Sequence, residues 1–252
     1  MTFEETIDKL IQLKLPHMAH ALREQIGRAA GSALSVEECV GLMVDHEWAE
    51  RENRRLGRRI KDAKLGMQAC LEDVRCDPAR GLDKAVVRSF GTCQWVRTKQ
   101  NVIVIGMTGT GKSYLGAALA EVACRHGYRA LRTRVPRLVG ELAIARADGS
   151  YAAMLNRLAK LDVLVLDDLL IAPLKDAERR DLLEVLEDRY DQRSTVVTSQ
   201  VPTKSWHEML ADPTVADAIC DRLVHNSHVL SLKGPSIRKL KGLGEKNTEE
   251  KG

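Results

Sequence analysis

The sequence predicts an α/β protein: a parallel sheet sandwiched by helices, preceded by a small all-helical N-terminal domain. Three observations predict it. Over roughly the first 75 residues apolar positions recur at three and four, as in Ile7, Leu10 and Ile11 or Met18, Ala21, Leu22 and Ile26, without strand-like alternation. From Asn101 onward, short apolar runs alternate with helical patterns of roughly 10–17 residues, the rhythm of buried parallel strands crossed by helices. Between the first such run and the helical pattern behind it lies a glycine-rich segment ending in Gly111-Lys112-Ser113.

Composition bounds the answer. A chain of 252 residues allows one large domain or a main domain with a small appendage. With 44% hydrophobic but only 4% aromatic residues, the core must be built from Leu, Val, Ala and Ile. A formal charge of +4 permits a polyanionic partner without requiring one. Cys39, Cys70, Cys76, Cys93, Cys124 and Cys220 include no CxxC pair and no zinc-ligand spacing, so free thiols are expected. The opening Met1-Thr2-Phe3-Glu4-Glu5 is not that of a signal peptide. The longest purely aliphatic runs, 102–105 and 163–166, fall far short of the roughly 20 residues that span a bilayer. The expectation is a soluble protein of a reducing cytoplasm, without a membrane partner.

In chain order, Thr2 with Glu5 and Ser35 with Glu38 fit reciprocal capping boxes, in which hydroxyl and carboxylate satisfy orphan N–H groups. Breaks at Leu15-Pro16 and Ala30-Gly31-Ser32 give two short helices, then a long one over about 36–65. In that helix Arg51, Arg54, Arg55, Arg58, Arg59, Lys61 and Lys64 face only Glu52 and Asp62. A solvated face with i,i+4 pairs and a phosphate-contacting face both suit this run. Strands are predicted at 102–105, 128–131, 162–166, 195–198 and 229–232. Domains are placed at 1–75 (helical, for partner or DNA interaction), 76–240 (nucleotide-binding) and 241–252 (a frayed tail).

Gly106-Met107-Thr108-Gly109-Thr110-Gly111-Lys112-Ser113 satisfies the P-loop pattern in its strand–loop–helix setting. Backbone N–H groups there form an anion nest at a helix N-terminus. Lys112 reaches the β- and γ-phosphates of ATP, and Ser113 offers a hydroxyl to Mg²⁺. The run ending in Asp167-Asp168 is a buried strand closed by two carboxylates. Asp167 fits the Walker B metal residue, and Asp168 would polarise the attacking water. The strand over 194–198 closes on Ser199 and Gln200, either of which is a candidate γ-phosphate sensor at the ligand edge of a parallel sheet. His225 and His228 lack a third ligand nearby and suit a helix end better than a metal site. Trp206 reads as a core or interface anchor, and Met67 and Cys70 as packing beneath the domain junction.

These pieces, in this order, resemble the AAA+ ATPases of the helicase-loader clade, and more narrowly the insertion-sequence helper ATPases called IstB. The specific wording is Arg179 to Tyr190, then Ser194 to Gln200, Trp206-His207-Glu208, and Asp217 to Asn226, with Leu13 to Met18 resembling the family's opening. The resemblance implies an ATP-binding helper that assembles on duplex DNA as a ring or spiral homo-oligomer and assists a separate transposase. It implies that Arg222 is an arginine finger offered to a neighbouring subunit's nucleotide. It matches the stretch Lys233 to Arg238 to the end of the ATPase domain, leaving too few residues afterwards for a helical lid with a sensor arginine.

Residues 125–160 carry eight basic residues against two acidic ones. In assemblies of the resembled clade that stretch lines a central channel, so Arg132, Arg134, Arg137 and Arg146 are candidate contacts to DNA phosphates; Arg54, Arg55, Arg58 and Arg59 are further candidates on the basic run of the long helix. The scarcity of aromatics favours sequence-independent duplex contact over base stacking. Three alternatives remain: a replicative helicase loader of the DnaC type, a P-loop small-molecule kinase, and a DNA-bending protein with a vestigial nucleotide site.

Overall fold

The computed structural model describes residues 2–28 and 35–237. The chain divides into two compact units, Met1–Arg58 and Arg59–Gly252. The breaks expected at Ala30 to Ser32, the tail and Arg238 lie outside the described residues.

In the first unit, α1 (Phe3–Gln12), α2 (Pro16–Arg28) and the long α3 (Val36–Asp62), whose last four residues belong to the second unit, follow the apolar rhythm. Both capping boxes form: Thr2 Oγ1 accepts from Glu5 N while Thr2 N donates to Glu5, and Ser35 with Glu38 repeats the exchange. The start of α2 is held by a buried carboxylate. Glu47 accepts the N–H groups of His17 and Met18 at 2.9 and 3.0 Å, so a negative charge sits on the positive end of the helix. Arg51, one turn further along α3, donates to the same carboxylate at 2.7 Å. Helix α3 stops three residues short of the expected end, because Lys64 and Gly66 take φ of +49° and +72°.

The second unit holds a five-stranded, wholly parallel sheet of order β2-β3-β4-β1-β5, formed by β1 (Asn101–Gly106), β2 (Ala130–Arg134), β3 (Val163–Leu169), β4 (Ser194–Ser199) and β5 (Ser227–Leu232). Strands β1, β3 and β4 are buried on both faces, as near-continuous aliphatic runs require. The helices are α4 (Lys84–Gly91), α5 (Gln94–Arg97), α6 (Lys112–Arg125), α7 (Val135–Asp148), α8 (Tyr151–Ala159), α9 (Asp176–Glu187), α10 (Trp206–Leu210) and α11 (Pro213–Val224). Leucines and valines of α7, α9 and α11 pack with β3 and β4 into one core that includes Trp206, whose indole N–H donates to Val201 O.

Strand β2 corrects the predicted 128–131. Tyr128 and Arg129 remain in the turn after Gly127, where Asp162 accepts the Arg129 N–H at 2.9 Å, and the strand runs on through Arg132 to Arg134. Met67 is also corrected: it is 37% exposed rather than packed away. Cys93 and Cys124 are buried free thiols, and burial pushes the pKa of each up to about 11. Among the described residues no helix is long and apolar enough to cross a membrane.

Candidate nucleotide site

Strand β1 ends at Gly106 and α6 begins at Lys112, so the residues between must reverse the chain within a few steps. Gly109 and Gly111 do this with φ of +84° and +101°, a region costly for residues bearing a Cβ. The loop folds on itself, the Thr110 hydroxyl and the Lys112 ammonium both donating to Met107 O, at 2.8 and 3.0 Å. The last described residues lie against it, Ile237 N donating to Gly109 O at 2.9 Å.

In the parallel register Ile105 of β1 lies opposite Ser199 of β4, and β4 in turn pairs with β3. This brings Asp167 beneath the P-loop helix. Its Oδ1 accepts from Ser113 Oγ at 2.9 Å and from the Thr198 hydroxyl, and its Oδ2 accepts from Arg132. A hydroxyl and a buried carboxylate side by side are hard oxygen donors suited to Mg²⁺, so the residues present fit that ion. A bulge between Leu166 and Leu169 puts Asp168 in the left-handed region, φ +61°, with its N–H donating to Thr198 Oγ1 and its carboxylate accepting from Arg134 Nε at 2.8 Å. Non-glycine residues held there cluster at functional sites.

The cleft over these groups measures about 980 Å³, room for a nucleotide, and Val74, Leu82 and Ile237 give it an apolar side. Gln200 reaches across it, accepting from Thr108 Oγ1 at 2.8 Å. Ser199 does not reach it. Its hydroxyl is buried, donating to Leu169 O at 2.8 Å and accepting from Val201 N at 3.1 Å. Of the two sensor candidates the cleft therefore contains Gln200.

Sequence reasoning missed two residues of this site, Thr198 and Arg80, and gave two others, Arg132 and Arg134, a different role. Thr198 holds both carboxylate positions. Arg80 lines the cleft and donates to Thr110 O at 3.2 Å. Arg132, with Arg134, was expected on DNA, yet both line the cleft because β2 runs far enough for each to meet a carboxylate of β3. Of the other basic candidates, Arg137 is exposed and pairs with Glu141, while Arg146 pairs with buried Asp181 and lies 3.7 Å above the Tyr151 ring. On α3, Arg54, Arg55 and Arg58 are exposed, Arg55 pairing with Glu52, and Arg59 donates to Cys124 O at 3.0 Å.

Arg222 sits elsewhere. Its backbone carbonyl accepts from the side chain of Asn101, the first residue of β1, at 2.9 Å. The P-loop starts at the other end of that strand, five steps or about 16 Å away. Its guanidinium is paired with Glu187, which it holds below the usual carboxylate range, and lies 5.7 Å from the Tyr190 ring centre. His228 meets Gln100 at 3.0 Å, and no group of three metal-ligating side chains occurs among the described residues.

An all-parallel sheet with a P-loop on an interior strand, β1, and adjacent carboxylates on the next strand but one, β3, defines a P-loop nucleotide-binding protein of the AAA+ type. The family model described as IstB-like ATP binding protein matches residues 8–243, and the chain belongs to that family. It is 44% identical over 239 residues to the insertion-sequence ATP-binding protein y4pL of Sinorhizobium fredii, covering 95% of this chain and 98% of that one. It is likewise 44% identical over 206 residues to the ATP-binding protein of insertion sequence IS1162 from Pseudomonas fluorescens, covering 81% and 89%. In fold it resembles the crystal structure of the DnaC helicase loader, with a TM-score of 0.56 at 19% identity over 68% of this chain and all of that one. AMPPCP-bound DnaA from Aquifex aeolicus gives 0.59 at 19% identity over 74% of this chain and 56% of that one.

Proposed function

We propose that this chain is an ATPase that oligomerises on duplex DNA, largely without regard to sequence, and assists the transposase of an insertion sequence. The observation that carries the ATPase reading is the Ser113–Asp167–Thr198 cluster beneath the P-loop, with Asp168 and Gln200 at its rim. Residues 106–113 bind the phosphates of ATP through backbone N–H groups and Lys112. Ser113 and Asp167 hold Mg²⁺, which neutralises phosphate charge when bound. Asp168 orients and polarises the attacking water, and Gln200 senses the γ-phosphate.

The family resemblance makes Arg222 an arginine finger for the nucleotide of another copy, on which turnover then depends; its place at the far end of β1 from its own P-loop is compatible with that role. The insertion-sequence relatives at 44% identity favour a transposase as the partner over a helicase ring. Residues 1–58 form the partner- or DNA-facing part, and the ATPase domain expected over 76–240 also takes in residues 59–75, since Val74 lines its cleft. Arg54, Arg55, Arg58 and Arg137 are exposed basic candidates outside the cleft that track phosphates, Arg55 and Arg137 giving up surface ion pairs with Glu52 and Glu141 to do so.

Light scattering after size exclusion tests this, using the protein with a DNA duplex several helical turns long and ATP, ADP or no nucleotide. Large protein–DNA assemblies formed with ATP alone are the expected result. A protein that stays monomeric and ignores DNA in every state overturns the reading.

A further inference from the structure

Arg132 joins two parts of the second unit that are distant in sequence. Its side chain is 14% exposed. One guanidinium nitrogen, Nη2, pairs with Asp167, and the other, Nη1, donates to Leu65 O at 2.7 Å, in the turn after α3. Its backbone N–H donates to Ala63 O at 2.8 Å. The turn 63–66 is therefore fastened to β2 twice, once through main chain and once through a side chain whose other arm lies in the nucleotide site. The fit is close, since a Cβ on Gly66 would come within 3.1 Å of Nη1. Arg132 Nε is buried with no acceptor among the described residues, so the guanidinium is pinned at two corners and unsatisfied at the third.

We propose that Arg132 is a positioning residue that couples occupancy of the nucleotide site to the turn 63–66. This rests on the ATP and Mg²⁺ reading above. A divalent cation held through Ser113 draws on the same carboxylate that Arg132 neutralises, so each weakens the other's hold on Asp167. When Nη2 gives up Asp167, the planar guanidinium moves as a unit and Nη1 loosens from the Leu65 carbonyl, while the Arg132 N–H to Ala63 O bond stays. The turn is thus released at one of its two fastenings. By linkage the effect is reciprocal, and removing the Arg132 fork strengthens the site's response to Mg²⁺.

The test uses the full chain, with ATPγS as nucleotide, read by hydrogen exchange in peptides covering residues 60–68 and by Mg²⁺ titration of a fluorescent ATP analogue. In the wild type, ATPγS with Mg²⁺ raises exchange in those peptides. In Arg132→Gln exchange is fast from the start and unresponsive, and half-maximal tightening of the analogue needs at least about five-fold less Mg²⁺. Arg132→Lys, which keeps the charge but cannot span both acceptors, shifts both readouts the same way by less, and it carries the test should the Gln variant fail to fold. Nucleotide binding that leaves 60–68 unchanged in the wild type overturns the coupling, as does an Arg132→Gln protein that behaves as wild type. A wild type that binds no nucleotide overturns the ATP reading itself and the coupling with it.

Discussion

Ser199 and Gln200 are neighbours in sequence, and replacing each by alanine should produce opposite defects. The Ser199 hydroxyl donates to Leu169 O at 2.8 Å and accepts from Val201 N at 3.1 Å, in a fully buried position. Ser199→Ala strands a buried carbonyl and a half-buried N–H, each costing about 1–3 kcal/mol. Together they cost about 2–6 kcal/mol, falling to about 1–3 kcal/mol where water satisfies the half-buried Val201 N–H. Turnover per folded molecule should hardly change. Gln200 is exposed at the rim and touches Thr108 at 2.8 Å, so Gln200→Ala should alter stability by less than about 0.5 kcal/mol. Its loss from a phosphate-sensing position should lower turnover about a hundred-fold. Urea denaturation and steady-state phosphate release on assembled protein read the two quantities separately. Full turnover by Gln200→Ala, or lost turnover by a stably folded Ser199→Ala, would refute the assignment of faces along β4.

Three further outcomes follow from the geometry. Asp168→Asn should bind ATP normally yet stop turnover, because asparagine tolerates the left-handed backbone at this position but cannot polarise water; equilibrium binding beside phosphate release checks it. Arg222→Ala should be inactive alone but regain turnover when mixed with Lys112→Ala subunits that supply the arginine, and full turnover by Arg222→Ala alone would remove the finger. Burial opposes ionisation of Glu47, but the Met18 N–H, the Arg51 guanidinium and the His17 N–H outweigh it and hold its pKa below the ordinary value of 4.5. The unfolded chain takes up that proton first as pH falls, so the stability Glu47 contributes is complete above pH 4.5 and is lost as pH drops through its folded pKa. Glu47→Gln should cost about 1–3 kcal/mol at neutral pH and flatten that acid limb in a pH series of urea melts.

Where a signal is local, the sequence carries it fully. Both capping boxes lie within four residues, and both form. The P-loop and the strand–carboxylate run are continuous in sequence, and the sheet brings them together as Ser113 and Asp167. Strand β2 and the stretch from Met67 to Gln100 were less legible for one reason: their partners are remote. Arg80 is fastened to Lys233, 153 positions away, and no periodicity in a segment of short turns announces such a contact. A charged residue inside a strand, such as Arg132, looks like surface until its carboxylate is known to lie 35 positions downstream.

The ambiguity at the end of β4 was resolvable in principle. Successive side chains of a strand alternate faces, so Thr198 and Gln200 share one side and Ser199 the other. Because β4 is aliphatic and buried on both faces, its hydrophobic pattern does not say which side bears the ligand. The answer needs the neighbouring strand. Asp167 lies opposite Arg134 in the register of β2 and β3, and Thr198 reaches both Asp167 and the backbone of Asp168. The face that meets the carboxylates is then the nucleotide face. Its residues are the hydroxyls and arginines that can satisfy a buried carboxylate, and Ser199, turned away, satisfies backbone instead.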